Sequence, residues 1–200
     1  MIKADNSDSI STQVGKKKTD SNQELFHQST NNIGVNVEQN QTLQKFLQFQ
    51  LSSSDWALLE AKVVTEIITV THSEILPVPQ MNHCVMGVYA WRSEMLWIVD
   101  LADLLGYKPL VNTKNIDHTR RDNFIVMVAQ FEGKSLGLVV ARVHNIIQQS
   151  LPELCPPSPE LFNHQTIPFL QGYFNDNQDR NSLLLKPEII FQSLLYSSLN

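Results

Sequence analysis

From residue 44 onward the sequence is a succession of short apolar runs separated by turn-forming residues, and this pattern restricts the fold more than any other feature. The runs are rich in β-branched and aromatic residues and are bounded by Ser, Asn, Asp, Gly or Pro, which is typical of β-strands. The pattern predicts about eight or nine strands, joined mainly as hairpins. Short strands at this spacing favour a mainly β protein made of one or two small antiparallel barrels.

Four hairpins follow from the positions of the turns. The predicted strands lie, pair by pair, at residues 46–51 and 56–60, 84–90 and 95–99, 122–131 and 135–143, and 169–174 and 183–186. The third pair is apolar almost throughout, which indicates that both of its faces are covered.

Three short helices are predicted between and after the strands. Residues 61–69 place Val63, Val64, Ile67 and Ile68 on one helical face of about two turns. A second helix over residues 100–106 is marked by an acidic N-cap at its start and a glycine at its end. A third begins after a proline and covers residues 188–199 at the C-terminus.

Residues 1–43 have a different composition from the rest of the chain. They are dominated by Asn, Gln, Ser, Thr and Asp, and their few apolar residues follow neither the helical nor the strand period. Such a segment buries too little apolar surface to offset the entropy lost on ordering. We therefore predict a disordered polar tail over residues 1–43 and one folded domain over residues 44–200, and we assign no function to the basic run at residues 16–18.

Composition excludes several classes of protein. The 15 Lys and Arg against 20 Asp and Glu give a net charge of −5, too acidic for a general binder of nucleic acid or of an anionic membrane. Two cysteines cannot form a disulfide framework, which favours a reduced, cytoplasmic compartment. No apolar run is long enough to cross a bilayer, so we expect no direct insertion into a membrane.

Catalytic and cofactor motifs are absent from the sequence. Residues 133–135 read Gly-Lys-Ser, but the glycine that a phosphate-binding loop needs five positions earlier is Val128, so the segment is interpreted as a hairpin turn. The histidines lie without ligand spacing, and we expect neither a metal nor a cofactor. His83 and Cys84 are adjacent, as a base and a nucleophile might be arranged, but neighbours on a strand point to opposite faces. A buried Cys84 is the preferred interpretation.

The turn between the second pair of strands carries Trp91, Arg92, Ser93 and Glu94. Tryptophan and arginine are enriched among the residues that dominate protein interfaces, so this tip is suited to recognition. A solvated turn, in which Arg92 and Glu94 only keep the tip soluble, explains the same residues equally well. Physical chemistry alone leaves both interpretations open.

Residues 87–101 read G-V-Y-A-W-R-S-E-M-L-W-I-V-D-L. They resemble the central signature of the CheW-like coupling domains of bacterial chemotaxis, roughly G-V-x-N-L-R-G-x-[IV]-[IVL]-P-[IV]-[IV]-D-L. Further segments resemble this family in the same order along the chain, at residues 46–49, 64–67, 75–79, 126–140, 169–173 and 183–185. The resemblance therefore covers about residues 44–195.

The resemblance implies two intertwined five-stranded antiparallel β-barrels of the SH3-like, CheW-like type, with short helices and a C-terminal helix. It also implies a protein that is not an enzyme and has no cofactor. Family members link the cytoplasmic tip of a methyl-accepting chemoreceptor to the regulatory domain of a CheA-type histidine kinase, in the cytoplasm and at membrane-associated receptor arrays. We therefore expect an adaptor in chemotaxis signal transduction.

Site residues carry over position by position from the resemblance. Val64 and Glu66 match positions implicated in partner docking near the first barrel, and Gly87 and Arg92 match positions implicated in receptor and kinase coupling. Together with the tip residues Trp91 and Glu94 they make up the predicted partner-binding set.

The sequence also departs from the family pattern. Ser93 stands where the family has glycine after its arginine, residues 140–143 read V-A-R-V in place of V-D-x-V, and Trp97 replaces the usual proline. A Trp-Arg-x-Glu tip combined with Trp97 is similar to the coupling proteins of cyanobacteria, whose kinase pathways steer type IV pili. Two alternatives stay open: a CheW-fold scaffold outside a chemosensory array that binds another signalling regulator, and a small thiol or metal enzyme using Cys84 and a histidine.

The tail hypothesis is testable by truncation. Because residues 1–43 are expected to contribute no core contacts, deleting them leaves the midpoint of thermal unfolding nearly unchanged. Circular dichroism of the full and truncated chains measures this directly. A large loss of stability on truncation contradicts the tail.

Overall fold

The computed structural model describes residues 43–110, 123–176 and 180–195, all of which belong to one unit, Asn40–Asn200. Residues 1–42 lie outside the described residues, as do most of the predicted loop 107–122 and the last turn of the predicted C-terminal helix. The first strand begins at Leu43, one residue earlier than the predicted domain boundary. A truncation test is therefore made at residue 42.

Ten strands form two five-stranded sheets in the described residues. Sheet 1 has the order β8-β1-β2-β10-β9, and sheet 2 has the order β3-β6-β7-β5-β4. The strands are β1 Leu43–Gln50, β2 Trp56–Glu60, β3 Val64–Thr71, β4 Val85–Trp91, β5 Glu94–Asp100, β6 Asn123–Phe131, β7 Lys134–Val140, β8 Arg142–Ser150, β9 Leu170–Asp176 and β10 Arg180–Leu185. The predicted mainly β fold with two five-stranded units is confirmed.

Chain order explains how the two sheets interleave. Sheet 2 is built from the consecutive strands β3 to β7, which are inserted between the first two and the last three strands of sheet 1. The pairs β10–β2 and β5–β7 are parallel, whereas the other described pairs are antiparallel as predicted. An isolated bridge also connects the two edges of each sheet. In sheet 2 it joins Leu76, after β3, to Val88 of β4, and in sheet 1 it joins Cys155, after β8, to Tyr173 of β9. Each sheet is therefore curved, which is compatible with two barrels.

Residues 61–69 are not the predicted helix. A single 3₁₀ turn covers Ala61–Val63, and the chain then continues as strand β3. Val64, Ile67 and Ile68 are β-branched, lose side-chain freedom in a helix and pack well on a pleated surface. Pairing with β6 along the whole strand overrides the apparent helical spacing.

Strand β8, Arg142–Ser150, was not expected from the sequence. Ala141 ends β7 by donating its N–H to Gln50 O at 3.0 Å, and the chain then pairs with β1 in the other sheet. Polar residues occupy most of β8, so its strand propensity is weak. Its partner strand, rather than its own composition, determines its structure.

Two described helices match the remaining predictions. Helix α1, Leu101–Leu104, is capped by Asp100, whose Oδ1 accepts from Asp103 N at 3.2 Å and whose Oδ2 accepts from Leu110 N at 2.7 Å. Gly106 follows with φ of 82°, a conformation that ends a helix at little cost for glycine. Helix α2 is Pro187–Leu195.

One apolar cluster receives side chains from both sheets and from both helices. Its fully buried members include Phe49 and Leu59 of sheet 1, Met127 and Leu138 of sheet 2, and Ile190 of α2. Each sheet also packs a separate small cluster on its other face. Side chains from one face of β6 and β7 pack in the shared cluster, and side chains from the other face pack in the small cluster of sheet 2. Both faces of these two strands are therefore covered, as predicted. Within the described residues no helix has the length and apolar character that a membrane span requires.

The shared cluster predicts that the two sheets unfold together. Leu138→Ala removes a fully buried side chain from sheet 2 and is expected to lower the free energy of unfolding by about 2–5 kcal/mol. Urea unfolding, followed by amide signals of Phe49 in sheet 1 and Val139 in sheet 2, should show one shifted midpoint for both. Separate midpoints for the two sheets contradict a shared core.

Candidate functional site

The tip of the β4–β5 hairpin is a two-residue turn, Arg92-Ser93, between the paired residues Trp91 and Glu94. Arg92 has φ of 46° and Ser93 has φ of 67°, so both lie in the left-handed region. Two such residues in sequence characterise the type I′ turn, which favours Asn-Gly. Here two non-glycine residues adopt this strained backbone conformation, and their exposed side chains lie at the end of the hairpin.

The Arg92 side chain contacts two of the other predicted site residues. Its guanidinium carbon lies 4.9 Å from the centre of the Trp91 ring, within the range of a cation–π interaction. Its Nη2 lies 2.8 Å from Glu66 Oε2. The arginine is 69% exposed, whereas Glu66 is half-buried and its Oε2 is covered, so the guanidinium is the part of the pair within reach of a partner.

Sheet topology explains this contact. Strands β3 and β4 are the two edges of sheet 2, so Glu66 and Arg92 belong to opposite edges in strand order. Both residues lie at the same end of the sheet. The start of β3 pairs with the end of β6, and β7 begins beside that end. Strand β5 runs parallel to β7, so its start, which adjoins the hairpin tip, lies at this end as well. The ion pair therefore joins the edges of a strongly curved sheet.

Gly87 has a backbone role. Its φ is 144°, and a Cβ placed there would lie 2.2 Å from Leu76 O. Glycine is required for this close approach, which permits the paired hydrogen bonds between Leu76 and Val88 at 2.8 and 2.9 Å. Gly87 thus positions the segment after β3 against β4 and offers no side chain to a partner.

Val64 lines a small open groove next to the ion pair. The groove has a volume of about 170 Å³ and is lined by Leu47, Ala61, Val64, Thr65, Glu66, Ile67 and Ile146. It lies between β1 and β8 of sheet 1 and β3 of sheet 2. Ile67 is 47% exposed and Ile146 is 59% exposed, which is unusual for residues of their size.

The predicted set thus divides into three groups. Glu66, Trp91 and Arg92 contact one another, and Val64 lies beside Glu66 in the groove. Glu94 is exposed at the tip, next to Met95, which is also exposed. Gly87 acts through the backbone. We refer to the groove, the ion pair and the hairpin tip together as the docking surface.

Sequence reasoning missed the apolar half of this surface. Ile67 was placed on a helix, and Ile146 lies on the unpredicted strand β8. The exposed apolar residue in each strand becomes recognisable only when its sheet partner is known. The high content of β-branched residues over residues 63–71 was a usable sequence signal for β3.

The interpretation of Cys84 as a catalytic nucleophile is disfavoured. Cys84 is fully buried, whereas His83 is exposed and its Nδ1 lies 2.8 Å from Asp103 Oδ2. Burial, with a smaller contribution from the charge of Asp103, raises the pKa of the Cys84 thiol to about 11. The thiol is therefore protonated at neutral pH and does not act as a nucleophile. Among the described residues no group of three or more His, Cys, Asp or Glu is arranged to hold a metal.

Comparison with known families identifies the domain. The family model of the CheW-like domain matches residues 45–195. The chain belongs to the CheW-like domain family. It is therefore a scaffold or adaptor domain of the chemotaxis type, and the resemblance seen in the sequence is confirmed.

A solved structure supports the same fold. The chain is similar to the crystal structure of the scaffolding protein TtCheW from Thermoanaerobacter tengcongensis, with 19% sequence identity and a TM-score of 0.58. The match covers 72% of this chain and 89% of that one. Among curated proteins none matches this chain.

The role of Gly87 predicts a specific loss of stability. Gly87→Ala combines left-handed strain with a clash against Leu76 O and should cost about 2–5 kcal/mol of unfolding free energy in urea titrations. Gly133→Ala is the matched control, since Gly133 has φ of 75° but open space around it, and should cost about 1–2 kcal/mol. Equal losses in the two variants contradict the close-approach role.

Proposed function

We propose that this CheW-like protein is a non-catalytic adaptor that couples chemoreceptors to a CheA-type histidine kinase in chemotaxis or related taxis signalling. The observation that carries the proposal is the docking surface, in which an apolar groove and a charged hairpin tip adjoin on one end of sheet 2. Membership of a scaffold family supports the adaptor class. The proposed compartment is the cytoplasm, with recruitment to membrane-associated receptor arrays.

The groove suits the cytoplasmic tip of a chemoreceptor. Ile67 and Ile146 are exposed on its two sides, and Leu47 forms part of its lining. An amphipathic helix can bury its apolar stripe in such a groove, contributing about 25 cal/mol for each Å² of apolar surface removed from water. The receptor helix is therefore assigned to the groove.

The hairpin tip suits the regulatory domain of the kinase. It presents Arg92 and Ser93 in the turn, and the exposed Glu94 and Met95 at the start of β5. Trp91 restricts the arginine by stacking, so less side-chain freedom is lost when a partner binds. A preorganised arginine next to an exposed methionine resembles the centre of a protein interface.

The ion pair leaves Arg92 available. Arg92 contacts Glu66 through Nη2 and is 69% exposed, so a partner carboxylate can bind the other N–H groups of the guanidinium without displacing Glu66. Glu66 in turn holds the guanidinium toward the groove in the free protein. Both residues are thus placed to take part in binding, one directly and one by positioning the other.

A second candidate function is a CheW-fold scaffold outside a chemosensory array, which binds another signalling regulator. Ser93 favours this second function. It replaces the family's glycine at a position with φ of 67°, and its side chain adds a polar group to the tip that a different partner would contact. A kinase pathway that controls type IV pili, as in cyanobacteria, is instead one form of the first proposal. Identification of the bound partner separates the two.

Charge reversal tests the docking surface. Arg92→Glu and Glu66→Arg are each expected to reduce co-purification with the cognate kinase at least about tenfold, since each leaves two like charges at the contact. The double variant Arg92→Glu, Glu66→Arg restores the internal pair with reversed polarity. It should regain the stability of the parent chain but not kinase binding, because the partner faces the wrong charge.

Lys108→Glu is the matched control, since Lys108 is exposed and follows β5 at the end opposite the hairpin tip. It makes the same charge change as Arg92→Glu and should leave kinase binding intact. Parent-level binding by both single variants removes the site assignment. Full recovery of binding in the double variant shows instead that the pair acts only within this chain.

A further inference from the structure

A second cleft lies away from the docking surface and shares none of its residues. It has a volume of about 500 Å³, which is within the usual range for small-molecule sites. The β1–β2 turn, the segment after α1, the segment before β9 and strand β10 form its walls. The partner-binding function makes no use of it.

One carboxylate is the charged group of this cleft. Asp55 lies in its lining, and none of the described lining residues is Lys, Arg or His. Ser52 Oγ and Ser54 Oγ both donate to Asp55 Oδ2, the latter at 2.9 Å, so the carboxylate is held in place. No described residue donates to the other oxygen, Oδ1.

Two aromatic rings, Tyr107 and Phe162, line the same cleft. Burial, with a smaller contribution from the charge of Asp55, raises the pKa of Tyr107 to about 12, so the phenol lies within the electrostatic reach of the carboxylate. Phe162 is fixed by edge-to-face packing on Tyr173, with ring centres 5.2 Å apart. Ring faces and a carboxylate in one cavity both attract positive charge.

We propose that this cleft binds a small organic cation that carries an ammonium or guanidinium group. The cation would pair with Asp55, lie against the rings of Tyr107 and Phe162, and direct a further N–H group to the side-chain amide oxygen of Asn181, which also lines the cleft. This inference is independent of the proposed adaptor function.

Other ligand classes fit the cleft less well. An anion would meet Asp55 without a described basic residue to offset it. A divalent metal needs several oxygen ligands, and the described residues contain no cluster of acidic or histidine ligands here. A neutral apolar ligand would leave the Asp55 carboxylate desolvated and unpaired, which is costly.

Putrescine and its neutral analogue 1,4-butanediol form a matched pair of probes for the full chain. We expect putrescine to shift the amide signals of Gly106, Asn163 and Asn181 in a saturable titration by nuclear magnetic resonance. Butanediol, which has the same four-carbon chain but no charge, should not. Equal binding of the two probes overturns the proposal, as does the absence of binding by any cation.

Two substitutions test whether putrescine binds at Asp55. Asp55→Asn keeps the shape of the side chain and should weaken putrescine binding at least about tenfold, because the charge-assisted contact is lost. Glu160→Gln removes the same charge from an exposed neighbouring position outside the lining and should leave binding unchanged. Unchanged binding in Asp55→Asn overturns the proposal. Unchanged amide signals far from the cleft show that the variant is folded.

The cationic group could reach the cleft on a free amine or on a lysine side chain of a partner. A capped tripeptide with a central lysine, titrated beside putrescine, distinguishes these sources. Tighter Asp55-dependent binding of the peptide indicates a protein ligand, and tighter binding of putrescine indicates a free amine. Both results support recognition of the cation itself.

Discussion

The shared apolar cluster between the sheets is the contact on which the other features of this protein depend. Sheet 1 is not continuous in the chain, since β3 to β7, which form sheet 2, are inserted between its strands β2 and β8. Side chains such as Phe49 and Leu138 meet in one core only when both sheets are complete. A sheet with a covered face on each side is also rigid, because packed interiors deform little. This core therefore holds strands of different sheets at fixed relative positions. The docking surface depends on these positions, because its residues come from both sheets.

Rigidity matters because the docking surface is assembled from separate elements. Its groove takes residues from β1, β3 and β8, and its charged tip comes from the β4–β5 turn. The contact of Arg92 with Glu66 depends on the curvature that brings the edges of sheet 2 together. Gly87 contributes to that curvature by letting the chain after β3 approach β4. An adaptor with such a preformed surface loses little entropy on binding.

Much of the fold was predictable from the sequence, because turn chemistry and apolar runs determine hairpins locally. The turns of the β4–β5 and β6–β7 hairpins, the Asp100 cap and the glycine at 106 that ends α1 are such local features. Strands β3 and β8 were missed because sheet pairing overrides their own spacing and composition. The parallel pairs β10–β2 and β5–β7 also cannot be predicted from local sequence, since the two strands of each pair are far apart in the chain. At the site, the resemblance supplied Glu66 and Arg92, but their mutual contact and the isoleucines of the groove required the fold.

Hydrogen exchange by mass spectrometry, on the chain alone and with the regulatory domain of its histidine kinase, tests the central claim most directly. If the docking surface binds the kinase, exchange slows at residues 91–95 and in the adjoining part of β3. Exchange in the core strands β6 and β7 stays unchanged, because their amides are already protected. Protection confined to sheet 1 strands β9 and β10, with none at the hairpin tip, would contradict the account.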